Sequence, residues 1–126
     1  MRITVLLTTL ACVLGLSGTG RAAQIASPTI YGATSQKTAQ CTIGNLGTTP
    51  VSVTVNIVDE SGAVVSTDSH CGIVEPSFLC QVAAIGIPTG SAFACTAKTS
   101  GSTAKLRGSF SLISSAGLPL RSVELR

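Results

Sequence analysis

The sequence predicts an all-β fold, a single antiparallel β-sandwich or a small barrel. Three observations carry this. Apolar and polar residues alternate with period two, most clearly where Val51, Val53, Val55 and Ile57 are separated by Ser52, Thr54 and Asn56. Turn residues recur at short intervals: Gly44 to Pro50, Asp59-Glu60-Ser61-Gly62, Glu75-Pro76-Ser77, Thr99-Ser100-Gly101-Ser102 and Ala116-Gly117. No stretch shows helical periodicity. About seven or eight short strands spaced in this way can each bury one face only by stacking sheet on sheet or by closing a barrel.

The elements follow in order. Residues 23–38 carry Pro28, Gly32 and scattered small polar residues, and are expected to form an extended N-terminal arm with a short strand at Thr29-Ile30-Tyr31. The β-sandwich domain is expected over 39–126. Ala39, Cys41 and Ile43 alternate with Gln40 and Thr42, the Val51–Ile57 strand follows, and Asp59–Gly62 turns the chain into a partner strand at Ala63-Val64-Val65. Phe78, Cys80 and Val82 are placed on one face, after a hairpin turn at Glu75-Pro76-Ser77. Phe93, Cys95 and Ala97 alternate next. A second hairpin-type turn at Thr99–Ser102 leads into a long strand from Ala104 to Leu112, and a last short strand spans Leu120 to Leu125. Val53, Val55, Ile57, Phe93, Leu106 and Phe110 are the expected interior.

Residues 1–22 read as a secretory signal peptide. Met1-Arg2 is a positive n-region, Ile3 to Leu16 is apolar, and Gly20-Arg21-Ala22 offers small residues at −3 and −1 for cleavage after Ala22. The apolar run is shorter than the roughly 20 residues that span a bilayer, and Thr9-Leu10-Ala11 before Cys12 is a poor lipobox. No second stretch is long enough, so no membrane span is expected in the mature chain, which is placed as secreted or periplasmic. The net charge of +3 includes Arg2 and Arg21; without them six cationic side chains face five acids, leaving +1. That near-neutral balance, without a charge run, excludes the footprint of a nucleic-acid binder.

Cys41, Cys71, Cys80 and Cys95 remain after cleavage. An even count in a small exported domain reads as two disulfides; a zinc site would need closer ligand pairs. Of the three possible connectivities, spacing favours Cys71–Cys80, set nearly opposite about the Glu75-Pro76-Ser77 turn, and Cys41–Cys95, each on an alternating apolar face.

Cys41-Thr42-Ile43-Gly44-Asn45-Leu46, Pro50-Val51-Ser52-Val53-Thr54-Val55, Asp59-Glu60-Ser61-Gly62, the cysteines around the Pro turn, Ala94-Cys95-Thr96-Ala97-Lys98 and Ala104-Lys105-Leu106-Arg107-Gly108-Ser109 stand in this order. Over about residues 39 to 112 the chain thereby resembles a group of uncharacterised small secreted bacterial proteins. The resemblance implies bacterial origin, export and a single immunoglobulin-like antiparallel β-sandwich. It implies no activity and carries no catalytic or binding residue.

Candidate chemistry is sparse. Asp68-Ser69-His70 has the residue types of a catalytic triad, but consecutive residues of an extended segment point to alternate sides, and His70 precedes a cysteine expected to be oxidised. A small secreted hydrolase using His70 with a distant acid is the alternative to the main expectation. Asp59 and Glu60 are adjacent carboxylates with too few companions for calcium. No metal or cofactor is expected. Lys105 and Arg107 on one strand, with Lys98 across the hairpin, form the expected binding face, and Asn45 with its loop is the second choice. The chain is read as an exported non-enzymatic structural or interaction module with an unknown protein or glycan partner.

Overall fold

Side chains that alternate in character along a strand are sorted onto two faces by the pleat, and here the sorting produces two sheets with one shared interior. The computed structural model describes residues 22–32, 34–67 and 71–126. Ten strands are present: β1 Ala23–Ala26, β2 Ile30–Tyr31, β3 Gln36–Asn45, β4 Val51–Asp59, β5 Val64–Thr67, β6 Ile73–Val74, β7 Leu79–Ile85, β8 Ala92–Thr99, β9 Leu106–Ser114 and β10 Pro119–Leu125. One sheet has the order β1-β8-β4-β5, with β2 also on β8 and β6 also on β4; the other is β10-β9-β3-β7. Every pairing is antiparallel. The fold is a β-sandwich. Among the described residues no helix is long and apolar enough to cross a membrane. The expected leader, apart from Ala22, lies outside the described residues, as does Asp68-Ser69-His70.

The core sits between β3 and β9 on one side and β4 and β8 on the other. Val53, Val55, Ile57, Phe93, Leu106 and Phe110 are all at most 2% exposed. Burying an aliphatic or phenyl side chain of this kind contributes about 1.5–3 kcal/mol, and with few aromatic rings the interior depends on many small aliphatic groups. The Cys41–Cys95 disulfide crosses this core, joining β3 to β8 with a Cα–Cα distance of 6.0 Å. Both strands are interior to their sheets, so the bridge joins the two sheets through the middle of the sandwich.

Two connections differ from the sequence reading. The turn after β8 is not a hairpin: β9 joins the opposite sheet, between β3 and β10. The reason is that β8 has no free edge, because β4 pairs along one side and β1 and β2 along the other. The start of the chain takes that second edge. Likewise the Glu75-Pro76-Ser77 turn is no hairpin. β6 pairs with β4 while β7 pairs with β3, so the turn passes between sheets and the Cys71–Cys80 disulfide, Cα–Cα 5.4 Å, spans it.

Residues 23–38 are extended and pair onto the sheet. Between β1 and β2 the chain steps off the ladder at Ser27-Pro28-Thr29, where Pro28 has no N–H to offer. Ser27 fills the gap: its N–H donates to Cys95 O at 2.9 Å, and its Oγ accepts from Cys95 N at 2.9 Å. Ala26 and Arg126 exchange backbone bonds of 2.9 and 3.0 Å, which ties the edge of one sheet to the end of the other.

Candidate functional site

At the end of the sandwich where β3 and β8 finish, two loops face each other: 46–50, leading to β4, and 100–105, leading to β9. Both are rich in Gly, Ser and Thr, residues that close short-range hydrogen bonds in turns. Thr99 Oγ1 accepts from Gly101 N at 3.1 Å and Ser102 Oγ accepts from Ala104 N at 3.1 Å. The loops are joined by Leu46 N donating to Lys105 O at 2.9 Å. Between them lies an open groove of about 460 Å³, walled by residues such as Thr48, Thr49, Ser52 and Ser100, with Lys105 its one cation.

Asn45 organises this end. It is fully buried. Its Nδ2 donates to Thr49 O at 2.8 Å and to Val74 O at 2.9 Å, while Oδ1 accepts from Gly47 N at 2.8 Å. Its backbone N–H donates to Phe78 O at 3.2 Å, and its carbonyl accepts from Ser77 N at 2.8 Å. One buried amide thus pins the groove loop and the β6–β7 turn together, with both of its side-chain N–H donors satisfied. Gly47 permits the close fit. A Cβ there would lie 3.0 Å from Asn45 Oδ1 and 3.4 Å from Lys105 Cβ. Asn45 therefore shapes the site and is not itself available to a ligand.

The expected basic face is divided. Lys98 is exposed on the outer side of its sheet, in register with Gln24 and Thr54. Arg107 is exposed on the outer side of the other sheet, where its Nη1 donates to Ala104 O at 3.1 Å and to Leu106 O at 2.7 Å. Because β8 and β9 lie in different sheets, these two cations face opposite ways. Lys105 precedes β9 and stands in the loop between them. The structure brings together Lys105 and the loop of Asn45, and separates Lys98 from both.

At the far end of β4, Asp59 and Glu60 are engaged in the turn. Asp59 Oδ1 accepts from Ser61 N at 2.9 Å, Ser61 Oγ at 2.6 Å and Ala63 N at 3.0 Å, and Gly62 supplies the positive φ of 83°. The Ser61 hydroxyl, with the backbone amides of Ala63, Ser61 and Gly62, holds the Asp59 carboxyl below its ordinary pKa against slight desolvation. Glu60 Oε2 accepts from Ala92 N at 3.3 Å. Among the described residues no three His, Cys, Asp or Glu side chains gather as a metal site.

One feature went unread in the sequence. Phe78, expected to share one face with Cys80 and Val82, is 65% exposed, and Ile73, Leu79 and Leu46 are exposed near it. Phe78 belongs to the turn, before the alternation of β7 begins. Ser77, at φ 65°, is the chain's one positive-φ residue other than glycine among the described residues. Comparison with family models, with characterised proteins and with solved structures gives no match to the chain.

Proposed function

We propose that the mature domain is an exported, non-enzymatic interaction module that receives a polar, anionic group of a protein or glycan partner in the groove between loops 46–50 and 100–105. The observation that carries this reading is the construction of the groove. Its hydroxyl-rich walls are fixed from behind by a buried, hydrogen-bonded Asn45, and it holds a single cation, Lys105. A preorganised loop site on a rigid sandwich loses little conformational freedom on binding. Two disulfides support an oxidising compartment outside the cytosol.

A screen of the exported protein against an array of acidic and neutral glycans, with a parallel pull-down, tests this. Lys105→Glu should abolish retention of the ligand found, added salt should weaken it because exposed charges are screened, and Lys98→Glu should leave it unchanged. A hydrolytic activity lost in a folded His70→Ala variant would overturn the non-enzymatic reading.

A further inference from the structure

The exposed apolar cluster on the β6–β7 turn adjoins the groove at Leu46 and otherwise faces away from it. Phe78 and Ile73 are each 65% exposed, Leu79 73% and Leu46 63%. A chain with only three Phe residues has placed one of them in water. The turn is also rigid: the Cys71–Cys80 bridge spans it, and Asn45 holds it through Val74 O, Ser77 N and Phe78 O. Rigid, exposed aromatic and aliphatic side chains at a covalently fixed turn are the composition of an interface core.

The charges around it indicate the occupant. Leu79 stands between two hollows. One, of about 260 Å³, is bounded by Ile73, Phe78, the Cys71–Cys80 bridge and Glu75. The other, of about 400 Å³, is bounded by Leu46, Arg107 and, at its outer rim, Glu124. Leu79 lies over Gly44, whose register partners are Leu79 on β7 and Arg107 on β9. The first flank carries one negative charge. On the second, Arg107 stands in the cross-strand row of Gly44 and Leu79, and Glu124 lies one strand further out on β10. An anionic membrane would be repelled by the first flank, and a purely acidic or basic partner by one flank or the other. A second copy of the chain satisfies both: a two-fold axis through Leu79 sets Glu75 of each copy against the Arg107 flank of its mate, with Phe78 and Leu79 buried between. The Arg107 guanidinium keeps donors beyond Nη1 for such a contact.

We infer that the protein forms an isologous homodimer through the Phe78–Leu79 patch, with Glu75 and Arg107 paired across the axis. Sedimentation velocity on the disulfide-bonded exported protein, from micromolar to millimolar concentration, should show a concentration-dependent dimer. Phe78→Asp should raise the dissociation constant at least about thirtyfold, the cost of losing a central interface residue, with an unchanged circular dichroism spectrum. Because an altered turn can mimic that loss, charge reversal provides the second measurement. Glu75→Arg and Arg107→Glu should each weaken the dimer, and the double variant should restore it. A strictly monomeric protein, a dimer indifferent to Phe78→Asp, or charge reversals whose effects accumulate without rescue would overturn the inference. So would a monomer that binds vesicles of equal parts phosphatidylcholine and phosphatidylglycerol through Phe78. Lys105 variants test the groove separately, so failure of one reading leaves the other measurable.

Discussion

At one end of β4 a buried amide organises the chain; at the other an exposed carboxylate does the same. Asn45 and Asp59 both accept from the amide two residues ahead, Gly47 N and Ser61 N respectively. There the likeness stops. The Asp59 carboxylate accepts only from its own turn, within four residues, whereas the Asn45 side chain reaches Val74 O, 29 residues away, from a fully buried position. Burial turns a local turn device into a tertiary clamp. A buried donor that loses its acceptor costs its full desolvation penalty, whereas an exposed one is re-solvated. The Asn45 end is therefore held hard enough to present a groove and an apolar tip, while the Asp59 end is a simple return of the chain.

The largest expected effect sets the scale, because it bears on both ends alike. Cys41–Cys95 closes a sequence separation of 54, and removing such a bridge costs about 4 kcal/mol by chain entropy, a large share of the 5–15 kcal/mol that stabilises an ordinary domain. Paired Cys41→Ala and Cys95→Ala substitutions should give a protein that is largely unfolded or melts far below the parent in thermal denaturation. Asn45→Ala comes next. It removes three side-chain hydrogen bonds from a buried site and should cost about 3 kcal/mol, with hydrogen-exchange protection lost first around Gly47, Val74 and Phe78. Protection lost evenly over the whole domain would mean that Asn45 is no local clamp.

The Cys71–Cys80 bridge sharpens the comparison further. It closes a separation of only nine residues, which corresponds to about 2.7 kcal/mol. Cys71→Ser with Cys80→Ser should leave a folded sandwich whose Asn45 end exchanges amide protons as readily as the Asp59 end. If that end stays as protected as before, the amide alone suffices to hold it.

Much of the sandwich was legible in the sequence because a period of two reports burial directly. The Val51–Ile57 alternation lies within β4, and Cys41 and Cys95, on apolar faces, form the bridge read from them, whereas Cys71–Cys80 forms across a turn that is not the hairpin from which it is read. Partnership was not legible. Alternation says which face of a strand is buried, and nothing about which neighbour lies beside it, so it does not distinguish a β8–β9 hairpin from a crossing between sheets, or a shared face for Lys98 and Arg107 from opposite ones. Asn45 was visible as a turn residue, but its burial depends on Val74, remote in sequence. Phe78 stands one residue before β7, so the alternation of that strand does not govern where its side chain points.

The smallest effect concerns Asp59 and works through pH. Its carboxyl is held below the ordinary value of 3.8, first by the Ser61 hydroxyl and then by the turn amides. A carboxyl with a lower pKa folded than unfolded binds its proton more readily in the unfolded chain. Its contribution to stability is therefore complete above the unfolded value, near pH 4, and is lost as the pH falls through the folded value below that. Melting temperatures of the parent and of Asp59→Asn, measured from about pH 7 downward, should differ by a small constant amount in the neutral range and converge in acid as the parent carboxyl protonates. The amide resonances of Ser61 and Ala63 should shift over the same acid range, and those of Gly47 and Thr49, whose clamp has no titrating group, should not. A difference that widened on acidification would mean that Asp59 is stabilised as the neutral acid, and the likeness between the two turns would fail at the Asp59 end.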